Sequence, residues 1–149
     1  MNAAGGLHAT GGGSRACAKL ALKPMAATSL NEKRAEYAAL LDSFVEALVR
    51  KLRGMEDVTR ISLFGSYPRG RRDLLTDLDV IVVMETEESF VERLRRLYGA
   101  LTPPVDVDIF CYTPAEFRVL REEGWLRSAL EGEVVLYEKE PGGGGKTLA

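Results

Sequence analysis

Phe64-Gly65-Ser66-Tyr67-Pro68-Arg69-Gly70-Arg71-Arg72-Asp73-Leu74-Leu75-Thr76-Asp77-Leu78-Asp79-Val80-Ile81-Val82-Val83 is the stretch on which the reading of this chain turns. It starts as the end of an apolar strand, Ile61-Ser62-Leu63-Phe64, passes through a Gly-Ser turn and a basic loop, and enters a second apolar strand headed by two aspartates. Side chains alternate across a strand, so Asp77 and Asp79 share a face with Cα atoms roughly 6 to 7 Å apart. Carboxylates so placed repel each other and call for a cation, and a hard ion such as Mg²⁺ takes oxygen ligands while keeping positions for water and phosphate. Gly65 permits close backbone approach, and Ser66 offers a hydroxyl and an N–H where the sequence predicts a helix start, a favourable place for a phosphate. Pro68 is compatible with a first helical turn. Arg69, Arg71 and Arg72 add positive charge to the loop.

Working outward, Val105-Asp106-Val107-Asp108-Ile109-Phe110-Cys111-Tyr112-Thr113-Pro114 is a further strand with acids, ending in a helix start. Alternation puts Asp106 and Asp108 on one face and does not choose between them.

A Gly-Ser turn after a strand, then Asp-x-Asp opening the next strand, then a later strand with a third acid resembles the DNA polymerase beta-like nucleotidyltransferases. The form here is similar to their small stand-alone minimal members, over residues 31 to 138. The resemblance implies an α/β (α+β) fold, a small mixed β-sheet with helices mainly on one face, the open face carrying the aspartates. It implies Asp77, Asp79 and a third carboxylate as catalytic metal ligands for Mg²⁺. The family spacing of an acid, four residues and Thr-Pro favours Asp108 over Asp106. Gly65, Ser66 and Arg69 would bind the phosphates of an NTP, with ATP the usual donor. Many similar proteins are antitoxins that inactivate a small helical HEPN-domain ribonuclease by adenylylating a tyrosine, and that is the partner implied. The alternatives are an antibiotic-type nucleotidyltransferase, which normally adds a second domain, and an inactive nucleotide-binding or interaction module.

The 149 residues suit one domain. Hydrophobic content of 46% and charged content of 28% are those of a globular protein. A net charge of -2 and a pI near 5.6 argue against stable nucleic-acid binding. No apolar run reaches the roughly 18 residues of a membrane span. Two cysteines, Cys17 and Cys111, give neither a disulfide framework nor a zinc site, so a reducing cytoplasm is the default compartment. With His8 the single histidine, the chemistry falls to carboxylates. A homo-oligomer is compatible with the sequence.

Residues 1–28 read as a Gly/Ala-rich disordered tail with a faint likeness to a transit peptide, and Met25 is an alternative start. The domain is expected over 29–138. Ser29-Leu30-Asn31-Glu32 has the form of a capping box, followed by apolar residues at helical spacing to Arg53. Glu85 to Ala100 reads as a helix capped by Thr86 or Ser89, with Arg93, Arg95 and Arg96 on a solvated face. Thr113-Pro114-Ala115-Glu116 starts another helix, which Gly124 kinks or splits. Trp125 is expected as a buried anchor rather than a stacking platform. Glu133 to Tyr137 reads as a last, edge strand, and 139–149 as a flexible tail. Within that tail Gly142-Gly143-Gly144-Gly145-Lys146-Thr147 imitates a phosphate-binding loop, but Glu140 occupies the position of the required first glycine.

Overall fold

A computed structural model of the chain describes residues 29–142 and 145–147. The tail expected over 1–28, with His8, Cys17 and Met25, lies outside them. The elements are α1 (Leu30–Leu52), β1 (Val58–Phe64), β2 (Leu78–Met84), α2 (Phe90–Ala100), β3 (Val107–Tyr112), α3 (Pro114–Leu120), α4 (Gly124–Leu130), β4 (Val134–Lys139) and β5 (Gly145–Thr147). One sheet has the order β3-β2-β1-β4-β5. Only β2 and β3 run parallel, joined by α2, and the other pairs are antiparallel. This is the mixed sheet expected of the α+β class.

Local chemistry starts the helices. Ser29 and Glu32, Ser89 and Glu92, and Thr113 and Glu116 each form a reciprocal capping box, satisfying backbone N–H groups that a helix start leaves without partners. The box at Ser89 explains why α2 begins at Phe90 and not at Glu85. Residues before it are held otherwise: Glu85 N–H donates to the Asp57 carbonyl at 2.7 Å and Glu88 N–H to the Thr86 hydroxyl at 3.2 Å.

The strands then bury opposite rows of side chains on opposite faces. Leu78, Val80, Val82 and Met84 of β2 join Leu41, Leu48 and Leu52 of α1 and Leu97 of α2 in the larger core. Ile81 and Val83 turn the other way, with Phe64, Phe117 and Leu126, under α3 and α4. The two longer helices thus share one face, while the two short ones cover part of the face expected to be open. In β2 Asp79 is the single residue of the strand that is not buried.

Three further differences from the sequence reading have physical causes. Gly124, at φ 61, splits α3 from α4 as expected, but Trp125 just beyond it is 53% exposed instead of buried. β4 is not the edge, because β5 pairs along its outer side and puts residues 145–147 of the expected tail into the sheet. An added strand satisfies the N–H and C=O groups that an edge would leave open. Arg53 of the α1 C-cap donates to the Thr147 hydroxyl at 2.8 Å.

Arg93 is 3% exposed, not on a solvated face, and its guanidinium grips both oxygens of Glu116 at 2.8 and 3.1 Å. Arg96 pairs with Asp57 and Glu88, so of the three arginines in α2 only Arg95 fits the expectation. Removing one partner of a buried pair strands the other charge, whereas replacing the charge by an apolar chain of similar size does not. Glu116→Ala is therefore expected to cost about 2 to 3 kcal/mol in urea unfolding, through the stranded guanidinium and the lost cap. Arg93→Met should cost less than about 1.5 kcal/mol, since the half-exposed Glu116 keeps the Thr113 N–H and water.

Candidate active site

β1 ends at Phe64, directly opposite Asp79 in the antiparallel register. Gly65 follows at φ 78, a left-handed conformation, and a Cβ placed on it would lie 2.2 Å from Asp79 Oδ2. The backbone at residue 65 therefore rests against the Asp79 carboxylate, and glycine is required there twice, for its φ and for its missing side chain.

The helix expected from Ser66 is absent. Ser66 to Gly70 make a single turn that closes at once: Gly70 N–H donates to the Tyr67 carbonyl at 3.0 Å and Arg71 N–H to the Ser66 carbonyl at 3.1 Å. With Gly70 at φ 92, this is the bonding pattern that ends helices. A stop signal so near the start leaves no room for a helix. Any phosphate contact at Ser66 is thus local, made by peptide and hydroxyl groups without a macrodipole behind them.

The three loop arginines are not equivalent. Arg71 pairs with Asp73 at 2.6 Å. Arg72 stacks on the Tyr67 ring at 3.5 Å from its centroid, donates to the Tyr67 carbonyl and pairs with Asp42 of α1 at 3.1 Å. Tyr67 in turn donates its hydroxyl to Asp42, and burial followed by that carboxylate pushes its pKa up to about 12. These contacts fix the loop on α1. Arg69 is exposed and pairs with no acid among the described residues. It lies across Gly132, its Nε 3.2 Å from where a Cβ on that residue would sit.

Asp73 shapes the approach to the acids. Its carboxylate accepts the Leu75 N–H at 2.9 Å and the Thr76 hydroxyl at 3.2 Å, and Thr76 N–H returns to its carbonyl at 3.1 Å. The Tyr37 hydroxyl donates to the Thr76 carbonyl at 3.1 Å, and Leu78 N–H donates to the Asp106 carbonyl at 3.0 Å. Asp77 leaves this clamped turn exposed, two residues ahead of half-buried Asp79. Across the parallel ladder Asp79 stands in register with Asp108. The Asp79 carboxyl is raised above the usual carboxylate range by burial, then by Asp108, then by Asp77. Asp79 is thus near enough to both Asp108 and Asp77 to feel their charge.

Asp106 goes elsewhere. It lines a shallow groove with Tyr37, Leu74, Pro103, Pro104 and Val105, and its charge raises the Tyr37 pKa, after burial. β3 begins only at Val107, so the alternation that would put Asp106 beside Asp108 does not extend to it.

None of Asp77, Asp79 and Asp108 forms an ion pair among the described residues, although Arg71 feels the Asp77 charge, and no three acids, cysteines or histidines there are gathered closely enough to hold a metal ion by themselves. An open array of carboxylate oxygens suits a hard divalent cation that draws its other ligands from water and substrate.

A pH dependence follows from Asp79. Its folded pKa lies above its unfolded value, so its contribution to stability is greatest below the unfolded carboxylate range near ~4 and is lost as pH rises through the folded value. In chelator-treated protein, Asp79→Asn is expected to gain stability over the wild type as pH rises from about 4 toward neutrality. Adding a divalent cation should shrink that gain. Thermal unfolding of both proteins across this range, with and without the ion, checks it.

The sequence reading missed the aromatic floor beside the acids. Phe64 and Phe110 lie with ring centroids 5.5 Å apart, and Trp125 packs on them at 6.1 and 5.1 Å. Phe110 stands two residues beyond Asp108, on the same face of β3. That alternation carries the signal for Phe110, but nothing local to the chain places α4 above it.

Residues 41–101 match the family model of the nucleotidyltransferase domain. That match bears out the resemblance to nucleotidyltransferases and the enzyme class read from the sequence. It spans the Gly65-Ser66 turn, Asp77 and Asp79. No curated protein matches the chain. Among solved structures, a protein assigned to the nucleotidyltransferases from Sulfolobus solfataricus is similar, with 17% identity and a TM-score of 0.46 over 77% of this chain and 92% of that one. A mutant form of the toxin–antitoxin pair MntA–HpeT is similar with 21% identity and a TM-score of 0.42, over 66% of this chain and 73% of that one.

Proposed function

We propose that this chain, which carries the nucleotidyltransferase domain signature over residues 41–101, transfers a nucleotidyl group from an NTP to a hydroxyl acceptor with the help of Mg²⁺. The observation that carries the reading is the contact of Gly65 with the Asp79 carboxylate, alongside Asp108 in register and Asp77 two residues earlier. This arrangement sets a glycine turn suited to phosphates against carboxylates suited to cations.

In this reading Asp77, Asp79 and Asp108 would hold Mg²⁺, with Asp108 on the acceptor side. Mg²⁺ would supply neutralisation of the triphosphate charge and a lowered pKa for the acceptor hydroxyl. Gly65 and Ser66 hold the outer phosphates, and Arg69, the loop arginine without an acid partner among the described residues, reaches toward them. The acceptor oxygen forms a bond to the α-phosphorus as the bond to pyrophosphate breaks, and the acceptor proton leaves on the Asp108 side. The chain contributes position and charge, which supply most of the catalysis in phosphoryl chemistry.

ATP is the donor and AMP the transferred group on the strength of the family resemblance. The same resemblance points to a tyrosine of a small helical HEPN-domain partner as acceptor, in a toxin–antitoxin pair.

The test is transfer of α-labelled ATP, GTP, CTP and UTP, with Mg²⁺ or chelator, into extract of the cells that make the protein. Label on one discrete protein, only with Mg²⁺ and preferentially from ATP, is the expected result. Label on a small molecule would move the acceptor to the antibiotic type. Bound nucleotide with no transfer would favour an inactive module.

A further inference from the structure

We infer that Trp125 is the platform on which the base of the bound nucleotide stacks, with purines favoured over pyrimidines. The inference rests on the nucleotidyl-transfer reading above and extends it to the end of the nucleotide away from the phosphates. Tryptophan carries the largest apolar ring, yet this one is 53% exposed. It is nevertheless held: its ring packs at tilted angles of 48° and 51° on Phe64 and Phe110, which fixes it on the sheet face while leaving more than half its surface to solvent.

Its position gives the exposure a meaning. Phe64 is the register partner of Asp79 and the residue before Gly65. Phe110 follows Asp108 by two residues on the same face, a step of roughly 6.6 Å along the strand. The open ring thus stands on the same sheet face as Asp79 and Asp108, on the floor that leads away from them. A nucleotide whose phosphates lie at Gly65 and Asp79 has its base to place, and an apolar ring already desolvated on its underside is the partner a base seeks. Stacking favours the larger π surface of a purine, while discriminating little between adenine and guanine.

Trp125 is the sole tryptophan, so its fluorescence reports on this position alone. Titrating the full chain with Mg²⁺ and ATP should quench it saturably, whereas Mg²⁺ with inorganic triphosphate should bind by calorimetry without comparable quenching. Trp125→Leu should weaken ATP binding by about 5- to 150-fold, the range for loss of one base–aromatic stack, and leave inorganic triphosphate affinity as it was. Trp125→Phe should recover most of the loss, and CTP should bind the wild type less tightly than ATP. Equal ATP affinity in wild type and Trp125→Leu would overturn the platform while leaving the phosphate site standing. If the wild type binds neither ATP nor inorganic triphosphate, the platform falls together with the reading it rests on.

Discussion

Asp79→Asn is expected to abolish nucleotidyl transfer, by about 10³-fold or more, in a protein that unfolds no more readily than the wild type. In the proposed mechanism the loss follows from removing a charged ligand where transition-state charge is neutralised, a role worth on the order of several kcal/mol. The retained stability follows from the neighbourhood: burial, Asp108 and Asp77 all disfavour the Asp79 charge in the folded protein. The variant removes that charge and keeps the shape, so it relieves repulsion at no cost in packing. Transfer rate and urea midpoint measured on the same preparation check the pair of outcomes. A large loss of stability would mean that Asp79 is a structural group, held by contacts that the site geometry does not contain.

The second large effect belongs to Gly65. Gly65→Ala puts a side chain at φ 78, which costs an L residue roughly 1 to 2 kcal/mol. It also places a Cβ 2.2 Å from Asp79 Oδ2, far inside contact distance. The atom in the way is the end of a side chain and can swing aside, so the cost to folding stays near that strain. The cost to function does not, because the carboxylate that swings aside is the one the proposed chemistry needs in place. A displacement of about 1 Å in a catalytic group is worth on the order of 10²-fold in rate. Gly65→Ala should therefore lose about 10²-fold in transfer while its unfolding free energy falls by only about 1 to 2 kcal/mol. Gly70→Ala is the matched control, since Gly70 has φ 92 but nothing within 4 Å of an added Cβ. It carries the strain without the displacement, and its transfer rate should stay within a few-fold of wild type.

Features written into short local patterns are legible in the sequence alone. The capping boxes at Ser29 and Thr113 and the apolar strands around Gly65-Ser66 depend on neighbours a few residues away, whereas the alternation expected to pair Asp77 with Asp79 does not reach Asp77, because β2 begins at Leu78. What is not legible there depends on distant partners. Ser66 has the look of a helix start, but Gly70 and Arg71 close the turn by N–H bonds back to the Tyr67 and Ser66 carbonyls. Arg93 resembles any surface arginine until Glu116, on another helix, meets it. β5 is three residues long and offers no periodicity to read, and its reason for being a strand is the open side of β4. Trp125 is expected inside because of its size, and only the split at Gly124 leaves it on the surface beside the acids. Alternation does not separate Asp106 from Asp108. The start of β3 at Val107 does, turning Asp106 toward Tyr37 and keeping Asp108 in register with Asp79.

In the proposed reaction the bond broken lies between the α- and β-phosphates of a nucleotide. Parallel reactions with α-labelled and γ-labelled ATP, in Mg²⁺ with the acceptor extract, test it most directly. The α-label is expected to join the acceptor while γ-label is released as pyrophosphate in equal amount, with both processes stopping in Asp79→Asn. Transfer of the γ-label to the acceptor, or release of the γ-label as inorganic phosphate with no α-label moved, would contradict it.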